Sequence, residues 1–91
     1  SQLLVSQDLR ELNGNDFNVI GTCFQPVYQR TDWKAAQHGP VGTNSYGFLF
    51  SAQGGNSNIQ IFVDNAGNIA FRVLFSGNAN WPDWAIISAN K

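Results

Sequence analysis

The chain is 91 residues long, 43% hydrophobic and 13% aromatic, with only 12% charged residues and a formal net charge of −1. One domain of this size hides only roughly 60–65% of the surface its unfolded chain exposes, and the usual reinforcements are mostly excluded: Cys23 is the sole cysteine, and one His with six scattered acids lacks zinc or calcium ligand spacing. No basic patch tracks a phosphate backbone, and no apolar run approaches the ~20 residues of a membrane helix, so neither nucleic acid binding nor membrane insertion is expected.

Residues 1–14 read as a lead-in. Val5, Leu9 and Leu12 fall at i, i+4 and i+7, a short helical stripe with Ser6 or Asp8 as cap, ending at Asn13-Gly14. From Asp16 the pattern turns β-rich, and a strand is predicted over Phe17–Phe24, with Pro26 either ending it or placing it at an edge. Asp32–His38 predicts one helical turn capped by Thr31 or Asp32 and stopped by Gly39-Pro40. Val41–Asn44 reads as loop. Three clear strands follow, at 46–51, 58–64 and 69–76. A Gly54-Gly55-Asn56 loop joins the first two, and an Asp64–Asn68 hairpin joins the last two, with Gly67 placed for positive φ. A short strand at Trp84–Ile87 closes the chain. The array predicts an all-β domain, a small antiparallel β-sandwich over 15–91 with no internal boundary.

Alternation sorts the strands into two faces. Ile69, Phe71, Val73 and Phe75 share one side of the third strand with Phe48, Phe50, Ile59, Ile61 and Val63 of its neighbours, and this fully apolar side is the predicted core. The reverse side carries Leu49, Phe62 and Leu74 among Gln60 and Arg72. Covering those three requires the N-terminal strap or another subunit, so oligomerisation is expected.

No catalytic constellation is legible. His38 has no nucleophile and orienting group marked out beside it, Cys23 sits in an apolar strand pattern as a buried inert thiol, and the acids occupy turn and cap positions. The expectation is a non-enzymatic chain with no metal and no cofactor. Asn and Gln make up about a fifth of the residues. Amides among aromatic rings suit neutral ligands such as sugars, whose apolar faces stack on rings while amides exchange hydrogen bonds with hydroxyls. The ordinary alternative is that Asn and Gly make turns and the rings plug the ends of the fold. On the binding reading the candidate ligand residues are Trp33 and Tyr28 first and Trp81 second, with Arg30 and Asp32 as hydrogen-bonding neighbours. Trp84, alternating with Ile86, is assigned to the strand.

The order of features carries a further signal. Asp8-Leu9-Arg10-Glu11-Leu12 is followed by an aromatic-rich strand ending in Gln25-Pro26, then by Thr31-Asp32-Trp33-Lys34-Ala35-Ala36-Gln37-His38-Gly39-Pro40, a Gly-led strand Gly47–Phe50, Ala70-Phe71-Arg72-Val73, and finally Trp81-Pro82-Asp83-Trp84-Ala85-Ile86-Ile87. Over about residues 8–88 this resembles the knob domains at the distal ends of phage tail fibres and R-type pyocin (tailocin) fibres. Such domains run from an Asp-Leu-x-x-Leu start through an Ala-rich segment ending in Pro to a Trp-x-x-Trp ending. Trp33 departs from that pattern, as does Ile59-Gln60-Ile61-Phe62, which is more apolar than the usual Gln-Thr-Tyr strand. The resemblance implies a homotrimer of β-sandwich knobs, joined through the lead-in to an upstream fibre shaft. It also implies synthesis in the bacterial cytoplasm, location in the virion or tailocin particle, and contact with host cell-surface glycan such as lipopolysaccharide. Two other readings remain: a purely structural trimerisation or folding module, and a monomeric carbohydrate-binding module of a secreted enzyme.

Overall fold

The structure is a computed structural model that describes residues 16–89. The lead-in stripe of Val5, Leu9 and Leu12 lies outside the described residues. Five strands form one antiparallel sheet in chain order: β1 (Cys23–Tyr28), β2 (Tyr46–Gln53), β3 (Ser57–Asp64), β4 (Ile69–Phe75) and β5 (Ala85–Ile87). Two 3₁₀ turns, Phe17–Val19 and Ala35–Gln37, are the only helical elements among the described residues. The chain is therefore antiparallel β as expected, and the described residues form one sheet with a layer of loops on one side.

The three central strands sit where alternation puts them. Asp64 and Gly67 make the β3–β4 hairpin. Gly67 adopts φ 89°, and the Asp64 carboxylate accepts from the Ala66 and Asn68 amides at 2.9 and 2.8 Å, an Asx-type turn. The first strand differs from its expectation. Phe17–Val19 is a 3₁₀ turn capped by Asp16, whose carboxylate accepts from Asn18 N–H at 2.9 Å. The strand begins only at Cys23 and runs through Pro26. It can do so because β1 pairs on one side alone, with β2, so the missing proline N–H costs no ladder bond. The expected helical turn is likewise shorter, and it follows Lys34 rather than Thr31 or Asp32.

The two faces are inverted relative to expectation. Leu49, Phe62 and Ala70 are fully buried, and no second copy is needed to cover them. Phe17, Trp33 and Trp84 lie over Leu49 and Phe62 instead. Phe17 makes edge-on contacts with Trp33 and Trp84 at 5.3 and 5.8 Å, and Trp33 does the same with Phe62 at 5.6 Å. Each fully buried large side chain contributes roughly 1.5–3 kcal/mol. Most polar groups beneath this cover are matched. The Gln60 amide donates to the Phe17 carbonyl at 2.8 Å, and its oxygen accepts from Arg72 Nε at 2.9 Å. Gln29 and Gln37, both buried, exchange reciprocal amide bonds at 3.0 and 2.8 Å, fastening the end of β1 to the β1–β2 loop.

The fully apolar face, predicted as the core, is open. Phe24, Tyr46, Phe48, Phe50, Ile59, Val63, Phe71, Val73, Phe75 and Ile87 all remain exposed there, with Phe24 and Phe75 at 54% and Phe48 at 53%. Strand register places them on one side of the sheet with no charged residue among them. Leu74, on the opposite side, is half-buried.

Candidate functional site

On the loop-covered side, His38, Gly39, Val41, Arg72, Asp83 and Trp84 line a cavity of about 310 Å³, at the lower end of the range for small-molecule sites. Three segments meet there. The β1–β2 loop brings His38, Gly39 and Val41. His38 adopts φ 56° at the end of the second 3₁₀ turn, where a short polar or imidazole side chain tolerates the left-handed region better than a branched one. Strand β4 brings Arg72, and the segment before β5 brings Asp83 and Trp84. The joints are specific: Trp84 Nε1 donates to the His38 carbonyl at 2.9 Å, and His38 Nδ1 pairs with Asp16 Oδ1 at 2.8 Å.

Arg72 is the centre of the arrangement. It is 5% exposed, and its guanidinium carbon lies 4.3 Å from the Trp81 ring centroid and 4.4 Å from that of Trp84, within cation–π range of both. This clamp holds the C-terminal segment onto the sheet. Nε is committed to Gln60, whereas Nη2 is buried without a hydrogen-bond partner. Burial pulls the Arg72 pKa down to about 10, against the opposing pull of Asp16, so the group stays cationic at neutral pH. Burial also works against ionisation of Asp16, but the Asn18 amide, the His38 hydrogen bond and the nearby His38 and Arg72 charges outweigh it and hold its pKa below the usual value.

The residues singled out from sequence fall in different places. Trp33 is half-buried in the aromatic core, and its Nε1 donates to Thr43 Oγ1 at 3.3 Å. It backs the cavity from behind through Gly39, where any Cβ would run into its ring. Tyr28 lies on the open apolar face, stacked on Tyr46 at 5.5 Å with ring planes 7° apart. Arg30 and Asp32 are exposed on the loop after β1. Trp81, covering Arg72, is the one that joins the charged centre of the site. Sequence reasoning missed Arg72, Trp84 and Asp83 as site residues. The available signal was a lone arginine between Phe71 and Val73 in an otherwise apolar strand, followed by two tryptophans three apart.

Comparison of the chain with protein-family models, with curated proteins and with solved structures finds no match.

Proposed function

We propose that the chain is the distal receptor-binding knob of a phage or tailocin tail fibre, acting as a homotrimer that contacts host cell-surface glycan. The observation that carries this reading is the open, uncharged face of aromatic and branched side chains spanning all five strands. Strands β2, β3 and β4 are seven to eight residues long, between the shorter β1 and β5, and at a strand spacing of about 4.8 Å the face measures roughly 24 Å along the central strands and roughly 19 Å across them. That is the size of the largest apolar patch on a typical monomer, roughly 300–600 Å², a class of patch that commonly marks an interaction site. The face carries no charge to specify a polar partner, and a second and third copy present the same complementary surface. Around a threefold axis the three open faces would meet as the walls of one shared apolar core, which gives each sheet the second layer that the described residues of one chain do not form. The lead-in would join an upstream shaft, and the knob would belong to the virion or tailocin particle after synthesis in the bacterial cytoplasm.

The cavity lies on the other side of the sheet, because Arg72 points opposite to its strand neighbours Phe71 and Val73. Self-association through the apolar face therefore leaves three cavities facing outward. Each single site would be weak, and three on one rigid tip raise avidity by roughly 10²–10⁴ on a dense glycan surface. The monomeric carbohydrate-binding module is disfavoured by the open face. A structural trimerisation module would share the assembly and lack the glycan contact.

Light scattering at micromolar concentration is expected to give three times the 10.0 kDa chain mass, and a one-chain mass rejects the assembly. A bacterial glycan array then separates recognition from scaffolding: retention of any glycan supports the knob reading, and a blank array with intact trimer supports the structural module.

A further inference from the structure

The geometry points to the Arg72 cavity as a site for a carboxylate-bearing monosaccharide, with the acid group directed at the guanidinium. This rests on the proposed glycan-binding function and specifies its ligand class. Arg72 lies in the cavity wall with its Nη2 buried and without a hydrogen-bond partner. It cannot turn to find one, since Trp81 and Trp84 lie over the guanidinium and Gln60 holds Nε. Asp16, the acid nearest in influence, spends one carboxylate oxygen on Asn18 N–H and His38 Nδ1, and the ion pair described there joins Asp16 to His38 rather than to Arg72.

A buried cation with an unused donor gains most from an ionised oxygen, because charge-assisted hydrogen bonds are roughly twice as strong as neutral ones. The rest of the wall suits a sugar ring. Trp84 and Val41 supply apolar surface, while His38 and exposed Asp83 stand where hydroxyl groups would project. Asp83 also fixes orientation, since its like charge keeps an incoming carboxylate from that part of the rim and favours the Arg72 side of the wall. The volume, about 310 Å³, admits one ring and no long oligosaccharide, so the acidic residue would be a terminal or branch sugar.

The test titrates the full chain with methyl β-glucuronide, methyl β-glucoside and inorganic phosphate, reading indole NH resonances and heat. The two glycosides differ only in carboxylate against hydroxymethyl. The expected result is a glucuronide affinity roughly tenfold or more above that of glucoside, with phosphate weaker than glucuronide and the Trp84 indole resonance moving. Equal affinities, or no glucuronide binding, overturn the proposal. Phosphate binding as tight as glucuronide overturns the sugar class in favour of a general anion site. Two variants localise the effect. Arg72→Gln is expected to abolish the preference for the acid. Val41→Asp, at an exposed rim position, removes apolar surface for either glycoside and adds like-charge repulsion for the acid alone, so it is expected to weaken glucuronide binding at least about fivefold more than glucoside binding, and it keeps the test decisive if Arg72→Gln does not fold. Equal losses for the two glycosides in Val41→Asp, or no loss for glucuronide, overturn the siting. Failure here while the array retains neutral glycans removes the acidic-sugar assignment alone, and a monomeric mass removes the assembly alone.

Discussion

Asp64 and Arg72, the charged side chains buried among the described residues, are accommodated in opposite ways. Asp64 is saturated. Its two carboxylate oxygens accept from the Ala66 and Asn68 amides, from the Asn44 amide at 2.8 Å and from the Asn68 side chain at 2.9 Å. Burial alone would raise its pKa, but those donors outweigh burial and hold it below the ordinary 3.8. A carboxylate depressed in the folded state stabilises the fold above its unfolded pKa. That contribution disappears as pH falls below 3.8 through the lower folded value. Asp64→Asn places an amide donor against existing donors and is expected to cost about 2–3 kcal/mol at pH 7. The difference between the two proteins should shrink as pH drops below 3.8, which chemical denaturation at pH 7, 4 and 3 would measure. A difference constant across pH would show that the ionised state contributes nothing. Arg72, by contrast, is held by ring faces and one hydrogen bond and keeps a donor in reserve. Asp64 was legible in sequence as a turn acid, because all its donors but the Asn44 amide are two and four residues away. The partners of Arg72 were not, because Trp81 and Trp84 reach it only when the segment leading into β5 folds back over β4.

At the scale of elements, the same division by sequence distance holds. Strands β2, β3 and β4 follow from period-two alternation and the Gly67 turn, both local. The Phe17–Val19 turn does not, because its residues have β propensity and are held instead by the Asp16 cap and by Phe17 docking on Trp33 and Trp84, contacts far away in the chain. The sequence leaves Trp33 open between ligand platform and plug for a related reason. A ring in a polar loop looks like a ligand surface until the loop folds back across the sheet, which the buried Gln29–Gln37 amide pair makes it do. Gly47 shows that strand pairing also has a local requirement. It sits opposite Asp64 in the β2–β3 ladder, and a Cβ there would collide with the Val63 carbonyl and the Asp64 Cα. The obstacle is backbone and cannot rotate away. Gly47→Ala is therefore expected to destabilise the fold by about 1–3 kcal/mol, seen as a lower urea midpoint with an unchanged slope. An unchanged midpoint would mean that the strands separate there at no cost.

For the molecule as a whole, the decisive quantity is which face of the sheet meets solvent. Hydrophobic content alone ranks the Phe48–Phe71 face as the interior, yet the mixed face is the one the chain itself covers. The loop aromatics fit over it, and Gln60, Ser51 and Arg72 find partners under them. The purely apolar face needs no polar matching, so it can be covered by any equally apolar surface, and another copy supplies one. Two single substitutions on β4, on its opposite faces, separate these roles. Phe71→Asp puts a charge in the centre of the open face, between Ile61 and Ala85 in the ladder. Leu74→Asp puts the same charge on the opposite side, at a half-buried position. If the apolar face is where copies meet, Phe71→Asp reduces the mass seen by light scattering to a single chain, since a desolvated unpaired carboxylate at an interface is strongly unfavourable. Leu74→Asp then keeps the assembled mass and lowers only the thermal midpoint, through lost packing and a partly desolvated charge within each chain. The opposite pattern, assembly lost with Leu74→Asp and retained with Phe71→Asp, would move the interface to the loop-covered side and put the Arg72 cavity inside it.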